Sequence, residues 1–217
     1  MARITVIGGT GYAGSAIVEQ AAARGHQVTA LSKGAPKAPV ETVTYVQGDA
    51  SEASTLSSVI ADADVVVAAL APRGALTTSF RDVNRTIAEL ADTAGAQLYV
   101  VGGFSSLRPA PGADRFVTDL SNTPVEVHEE VLAGAALIIE DLPATPESLD
   151  WVFVSPAMRF GAYSPSEPLG RYKLGDDVAV EPETGGVIAV DDYALGMVDL
   201  IDNRAHHRAH VNLGNPV

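Results

Sequence analysis

Six short runs of apolar, mostly β-branched residues recur along the chain: "RITVIGG", "HQVTALS", "VTYVQGD", "DVVVAAL", "QLYVVGG" and "DWVFVSP". Each is too short for an independent helix and rich in valine, so each reads as a strand. Their near-continuous apolarity calls for a sheet covered on both faces, as parallel sheets are. Between the strands lie segments of helical period. "TTSFRDVNRTIAELADTAG" places Phe80, Val83, Ile87, Leu90 and Ala94 three and four residues apart, with Thr77 or Thr78 as the expected cap and Gly95 as the stop. "TPVEVHEEVLAGAALIIEDL" predicts a second helix with Thr123 as N-cap, Pro124 at its first position and Glu126 closing a capping box.

Alternating strands and helices predict an α/β fold: a doubly wound parallel sheet of Rossmann type, helices on both faces, connected by right-handed crossovers. The 217 residues suit a single domain over 1–217. The Pro- and Gly-rich stretch 155–186 breaks the alternation and predicts a loop or hairpin excursion on the substrate side, over the crevice. In such sheets ligands bind at the carboxyl ends of the strands.

Composition removes several classes of chemistry. With no cysteine there is no disulfide, thiolate nucleophile or Cys-based metal site. A formal net charge of −13 opposes nucleic acid and anionic lipid, so neither is expected as a partner. No run approaches the roughly 18 apolar residues of a membrane span. "MARITVIGG" enters a strand directly without the regions of a secretory signal, which predicts a cytoplasmic protein. His206, His207 and His210 have no carboxylate at fixed ligand spacing and read as surface residues, so no metal site is expected. Asp191 and Asp192 read as caps of the helix that follows them, and His128 as a solvent-facing residue among the helix-initial acids Glu126, Glu129 and Glu130.

One turn points to a ligand. The first strand leads into Gly8-Gly9-Thr10-Gly11-Tyr12-Ala13-Gly14 and then into a helical run, the context in which spaced glycines hold a dinucleotide. Gly8 permits the tight turn, Gly11 lets backbone approach a pyrophosphate, and Gly14 lets helix and strand pack closely. Thr10, Tyr12 and Ala13 complete the cradle, whose amides and helix terminus face the phosphates. The second strand ends in Ser32-Lys33 rather than in a carboxylate for the ribose hydroxyls, which favours NADP(H) over NAD(H). Ala69, Leu70 and Ala71, after the fourth strand, suit a backbone lying alongside the cofactor ribose.

The spacing G-x-x-G-x-x-G, in place of G-x-G-x-x-G, resembles the short-chain dehydrogenase/reductase superfamily in its extended and atypical branches. With "VVGGFSSLRPAPG", "LDWVFVSPAMRFG", "GRYKLGDD" and "GGVIAVDDYALGMVDLID" in this order, most of the chain resembles one atypical group, the NADH-flavin reductases related to biliverdin reductase B. It departs from that group in Phe104, where alanine is usual, and in Val152-Phe153 after Trp151. The resemblance implies NADPH-dependent hydride transfer to a small conjugated acceptor, with FMN or FAD as substrate rather than bound cofactor. It implies an adenine contact for Asp49, with a helix-capping or turn role as the other reading. It places Ser105 beside the nicotinamide as the catalytic candidate, against Ser106 or a plain turn, with Gly102 and Gly103 letting the cofactor lie close. It further implies Ser155 and Pro156 near the nicotinamide, and Phe104, Met158, Arg171 and Tyr172 lining the acceptor site, with Arg171 against an anionic group. The superfamily's tyrosine with lysine four residues on is absent, since none of the six tyrosines has that partner. A non-catalytic redox sensor of the NmrA-like type is therefore the alternative. A monomer or homodimer is expected.

Overall fold

The computed structural model describes residues 1–181 and 183–216. The first unit runs β1 (Arg3–Ile7), α1 (Tyr12–Ala23), β2 (Gln27–Ser32) and β3 (Val43–Gln47); α2 (Ala53–Ile60), β4 (Val65–Ala68), α3 (Phe80–Ala94) and β5 (Gln97–Val101) follow. Then come α4 (His128–Ala136), β6 (Trp151–Pro156), β7 (Lys173–Gly175), α5 (Val190–Asn203) and β8 (Ala209–Gly214). The strands form one sheet in the order β3-β2-β1-β4-β5-β6-β8-β7, parallel throughout except for β7 against β8. This is a Rossmann-type doubly wound sheet in one α/β domain. The order reverses between β1 and β4, so a crevice opens where their carboxyl ends diverge.

Strand alternation divides the core between the two faces. Val152 and Val154 of β6 join Ile17 and Val18 of α1 and Tyr193, Met197 and Val198 of α5 on one side. Trp151 and Phe153 join Leu56, Val83, Ile87 and Leu137 on the other. Each fully buried residue of this size contributes about 1.5–3 kcal/mol relative to exposure. That is why the short runs persist as strands despite their weak local signal.

Six strands were expected and all six form; β8, a short strand-like run in the sequence, and the three-residue β7 extend the sheet. The excursion after Ser155 is not a hairpin, because β7 pairs with the distant β8 at the sheet edge. Pro182, within that stretch, lies outside the described residues.

Helix starts differ from expectation. The helix α3 begins after Ser79 without a side-chain cap, because the Thr77 hydroxyl donates to Gly74 O and serves the preceding turn instead. Its end follows the sequence, with Gly95 left-handed at φ 66°. At α4 the capping box does not form: Pro124 is extended, residues Val125–Val127 make a single tight turn, and the His128 ring, half-buried, reaches back to Thr123 O at 2.9 Å. Beyond α4 the chain widens into a π-helical turn, Leu137–Asp141, closed by Leu142 N–H to Leu137 O at 2.8 Å.

Candidate functional site

The glycine turn caps the carboxyl end of β1. Gly8 has φ +86°, and a Cβ there would stand 2.4 Å from Ala69 O. A Cβ on Gly14 would stand 2.1 Å from Gly8 O, so only glycine lets α1 start this close to the strand. The turn is tied to β2 by Gly8 and Gly9 N–H to Leu31 O, and by Thr10 N–H to Ser32 Oγ at 2.9 Å. Ser32 in turn donates to Leu31 O, so its hydroxyl fixes the turn. Among the described residues, no oxygen accepts from the amides of Tyr12, Ala13 and Gly14, and α1 has no side-chain cap. Three convergent donors at a helix N-terminus, behind backbone too tight for a Cβ, fit the pyrophosphate of a dinucleotide.

Lys33 and Asp49, read separately from the sequence, form an ion pair at 2.9 Å across the ends of β2 and β3. Hydrogen bonds from Lys33 and the Ser51 amide lower the Asp49 carboxyl to about 2. Both side chains are substantially solvent-accessible, so the pair is cheap to exchange for a ligand. Across the crevice Ala69, Leu70 and Ala71 follow β4, with Ala69 N–H tied to Ile7 O.

The loop after β5 is held from below. Gly102 is pressed onto Phe153, where a Cβ would come within 2.2 Å, while Gly103 faces open space. The Gly103 carbonyl accepts from Ser155 Oγ at 2.9 Å, and Ser155 Oγ lies 2.8 Å from His210 Nε2. His210 Nδ1 is 3.0 Å from Arg115 Nη1, which also donates to Ser106 O. An arginine can only donate, so Nδ1 accepts, Nε2 carries the proton, and Ser155 receives it and passes its own hydrogen to Gly103. Burial and the neighbouring Arg115 push His210 down to about 3, so the ring stays neutral. The arrangement looks like a nucleophile and its base, but its direction is the reverse: the histidine has no lone pair for the serine proton.

Several expected roles change here. Ser155 is fully buried with its hydroxyl engaged beneath the Gly103 carbonyl, and Pro156 is buried in the strand beside it, so the Ser155 side chain supports the loop from below. His210 is an internal strut rather than a surface residue, whereas His207 is exposed and pairs with Asp150. Tyr172 does not line the acceptor side: its ring lies against Gly196 and its hydroxyl donates to Asp199, which also pairs with Arg24 just beyond the end of α1 opposite the glycine turn. Asp192 does not cap α5; its buried carboxylate accepts from Leu169 and Gly170 N–H at 2.7 and 2.8 Å and anchors the excursion.

Other expected residues keep an open aspect. Ser105 is half-buried in a short turn beside Phe104, whose ring stacks on Phe116 at 4.6 Å. The Ser106 hydroxyl is buried without a partner among the described residues. Met158 is exposed, and Arg171 is exposed and ion-paired with nothing among the described residues. Two residues escaped sequence reading: Phe160, edge-on to Tyr12 at 5.3 Å, and the adjacent Arg159, exposed and without an ion pair among the described residues. The anchored excursion therefore does return to the glycine turn. His210 was legible only as an inward position of "AHVNLG", where it registers against Phe153.

The NAD(P)H-binding family matches residues 8–204, and the chain belongs to it. An uncharacterised Bacillus subtilis protein, YwnB, is 31% identical over 208 residues, 94% of each chain. Among solved structures, one described as a putative epimerase from Bacteroides thetaiotaomicron superposes with a TM-score of 0.84 at 29% identity, covering 100% of this chain and 98% of its own. Another, described as a putative NADH-flavin reductase from Streptococcus pneumoniae, gives 0.82 at 28% identity with both chains covered at 100%.

Proposed function

We propose that the protein is an NADPH-dependent reductase whose acceptor is a small flat conjugated molecule, a flavin (FMN or FAD) or a quinone, bound as substrate. The observation that carries this reading is the Gly102–Gly103 floor, open above and held rigid below by Ser155, His210 and Arg115, with the Phe104–Phe116 stack at its side. A rigid open floor suits a flat ring pair, and an aromatic stack offers the acceptor an offset face.

The free amides of Tyr12, Ala13 and Gly14 bind the pyrophosphate, and Lys33 exchanges Asp49 for the 2′-phosphate. Arg159, beside Phe160 and Tyr12, and Arg171 are the cations available to an anionic group on the acceptor. Ser105 orients the nicotinamide carboxamide or the acceptor by a hydrogen bond. Bound NADPH supplies the hydride. A flavin or quinone receiving it takes its proton from water, so the missing tyrosine–lysine pair is no obstacle. Similarity to the pneumococcal protein supports the flavin class.

The test is NADPH oxidation with FMN, FAD and a quinone panel, alongside titration of NADPH and NADH. Turnover above background with tighter NADPH binding is expected. Binding without turnover would assign the protein to the NmrA-like sensor class, the alternative motivated by the absent tyrosine–lysine pair.

A further inference from the structure

On the sheet face opposite α1, away from the glycine turn, a cavity of about 420 Å³ opens between α3 and the segment 137–149. That volume is within the range of small-molecule sites. Leu98, Val100, Leu137, Leu142 and Leu149 make its walls, each at most 5% exposed. The three lining residues Asn84, Ala88 and Asp92 follow one another at i, i+4 and i+8 along a single stripe of α3, spanning about 12 Å of helix axis.

The polar groups sit at the two ends of this apolar wall. Asn84 is 7% exposed; its Nδ2 donates to Phe80 O, no donor among the described residues reaches its Oδ1, and that oxygen is the part of the side chain that keeps some exposure. An accessible amide oxygen beside an apolar wall is a ready acceptor for a ligand's donor. Of the four charged side chains in the lining, Arg85 is paired with Asp82 and Asp141 with Arg81, leaving Glu89 and Asp92 without an ion pair among the described residues. Asp92 also borders a smaller polar cavity of about 210 Å³ that holds Arg204 and His207, so the charged end opens toward solvent.

We propose that this cavity is a second ligand site, distinct from the dinucleotide crevice, for an elongated small molecule that is apolar in its middle, cationic at one end and carries a hydroxyl or amide donor at the other. The ammonium faces Glu89 and Asp92, the chain lies along Ala88 against the leucine walls, and the distal donor meets Asn84 Oδ1. The proposal stands independently of the reductase reading.

Amide NMR titration of the full chain with 6-aminohexan-1-ol, hexylamine and hexanoate tests it. Saturable shifts confined to α3 and 137–149 are expected, with 6-aminohexan-1-ol binding at least threefold tighter than hexylamine, and hexylamine at least tenfold tighter than hexanoate. Asn84→Leu should remove the preference for the amino alcohol while hexylamine still binds. Ala88→Phe, which fills the cavity, should abolish binding of both while NADPH binding is unchanged; if it does not fold by circular dichroism, the Glu89→Gln/Asp92→Asn surface pair should erase the preference for amine over carboxylate. Absence of saturable binding, equal affinity for hexanoate, or an amino-alcohol preference surviving Asn84→Leu would overturn the proposal.

Discussion

Ser155 on β6 and His210 on β8 meet at 2.8 Å beneath the Gly103 carbonyl, and Arg115 fixes which of their atoms carry protons. In the folded chain His210 stays neutral down to about pH 3, whereas an unfolded histidine takes up a proton near pH 6.5. The unfolded state therefore binds the extra proton between those values. The stability due to the neutral ring is full above pH 6.5 and declines as pH falls toward 3. Wild-type unfolding free energy should fall by roughly 3 kcal/mol more than that of His210→Phe between pH 7 and 4, as urea titrations at several pH values would measure. Parallel pH profiles would remove the strut assigned to His210.

Two neighbouring glycines separate folding from binding. Gly102→Ala drives a Cβ into the Phe153 ring, with contacts as short as 2.2 Å, and should cost on the order of 2 kcal/mol of stability by forcing ring and loop apart. Gly103 has extended backbone, φ −124°, and nothing within 4 Å of an added Cβ, so Gly103→Ala should leave the melting temperature within a degree or two. If the nicotinamide lies on this floor, the same methyl should weaken NADPH binding about tenfold. Unchanged affinity would move the nicotinamide elsewhere.

What could be read from the sequence was what rests on period and spacing. All six early strands, Gly95 as the stop of α3, and the glycine turn follow from local pattern, and Gly8 and Gly14 are confined by the clashes that the motif anticipates. What could not be read depends on partners far apart in the chain. Asp192 looks like a cap beside Asp191 but is claimed by amides 22 and 23 residues upstream. Ser155 and His210 are 55 residues apart, and Lys33 meets Asp49 only because β2 and β3 are adjacent. Thr123 lost its capping role because Val125–Val127 form a separate tight turn and α4 begins only at His128, too far along for the Thr123 hydroxyl to serve its first amides.

The Lys33–Asp49 pair makes cofactor choice testable on both sides. Lys33→Ala should weaken NADPH about fivefold and NADH hardly at all, and the difference should shrink at high salt because both groups are solvent-accessible. Asp49→Asn keeps a polar amide for the adenine but releases Lys33 and removes a carboxylate from the 2′ side, so it should raise the NADPH-to-NADH preference. Ser32→Ala acts differently. It removes the acceptor of Thr10 N–H and should weaken both cofactors equally by loosening the turn.

Asp192 is expected to govern how the excursion presents Met158, Arg159 and Phe160. Its carboxylate is 1% exposed and accepts two short bonds, so Asp192→Asn forces one amide nitrogen against a backbone N–H. That should cost about 2 kcal/mol and raise protease sensitivity within 157–172 before global unfolding. Limited proteolysis with mass mapping would report it, and cleavage patterns identical to wild type would show the segment is held by other contacts.

Variants of two adjacent serines separate the roles proposed for the loop after β5. The Ser106 hydroxyl is buried with no partner among the described residues, so Ser106→Ala removes an unsatisfied polar group and should leave stability unchanged or raised by up to about 1 kcal/mol, with turnover intact. Ser105 is half-buried beside Phe104 on the loop that Gly103 fixes, and Ser105→Ala should lower kcat about tenfold with little change in melting temperature. If Ser105 only positions the nicotinamide, the loss will appear equally with FMN and with quinones, since the cofactor is common to both. A loss confined to one acceptor would place the hydroxyl on the acceptor instead, and a turnover loss in Ser106→Ala with none in Ser105→Ala would exchange the two roles.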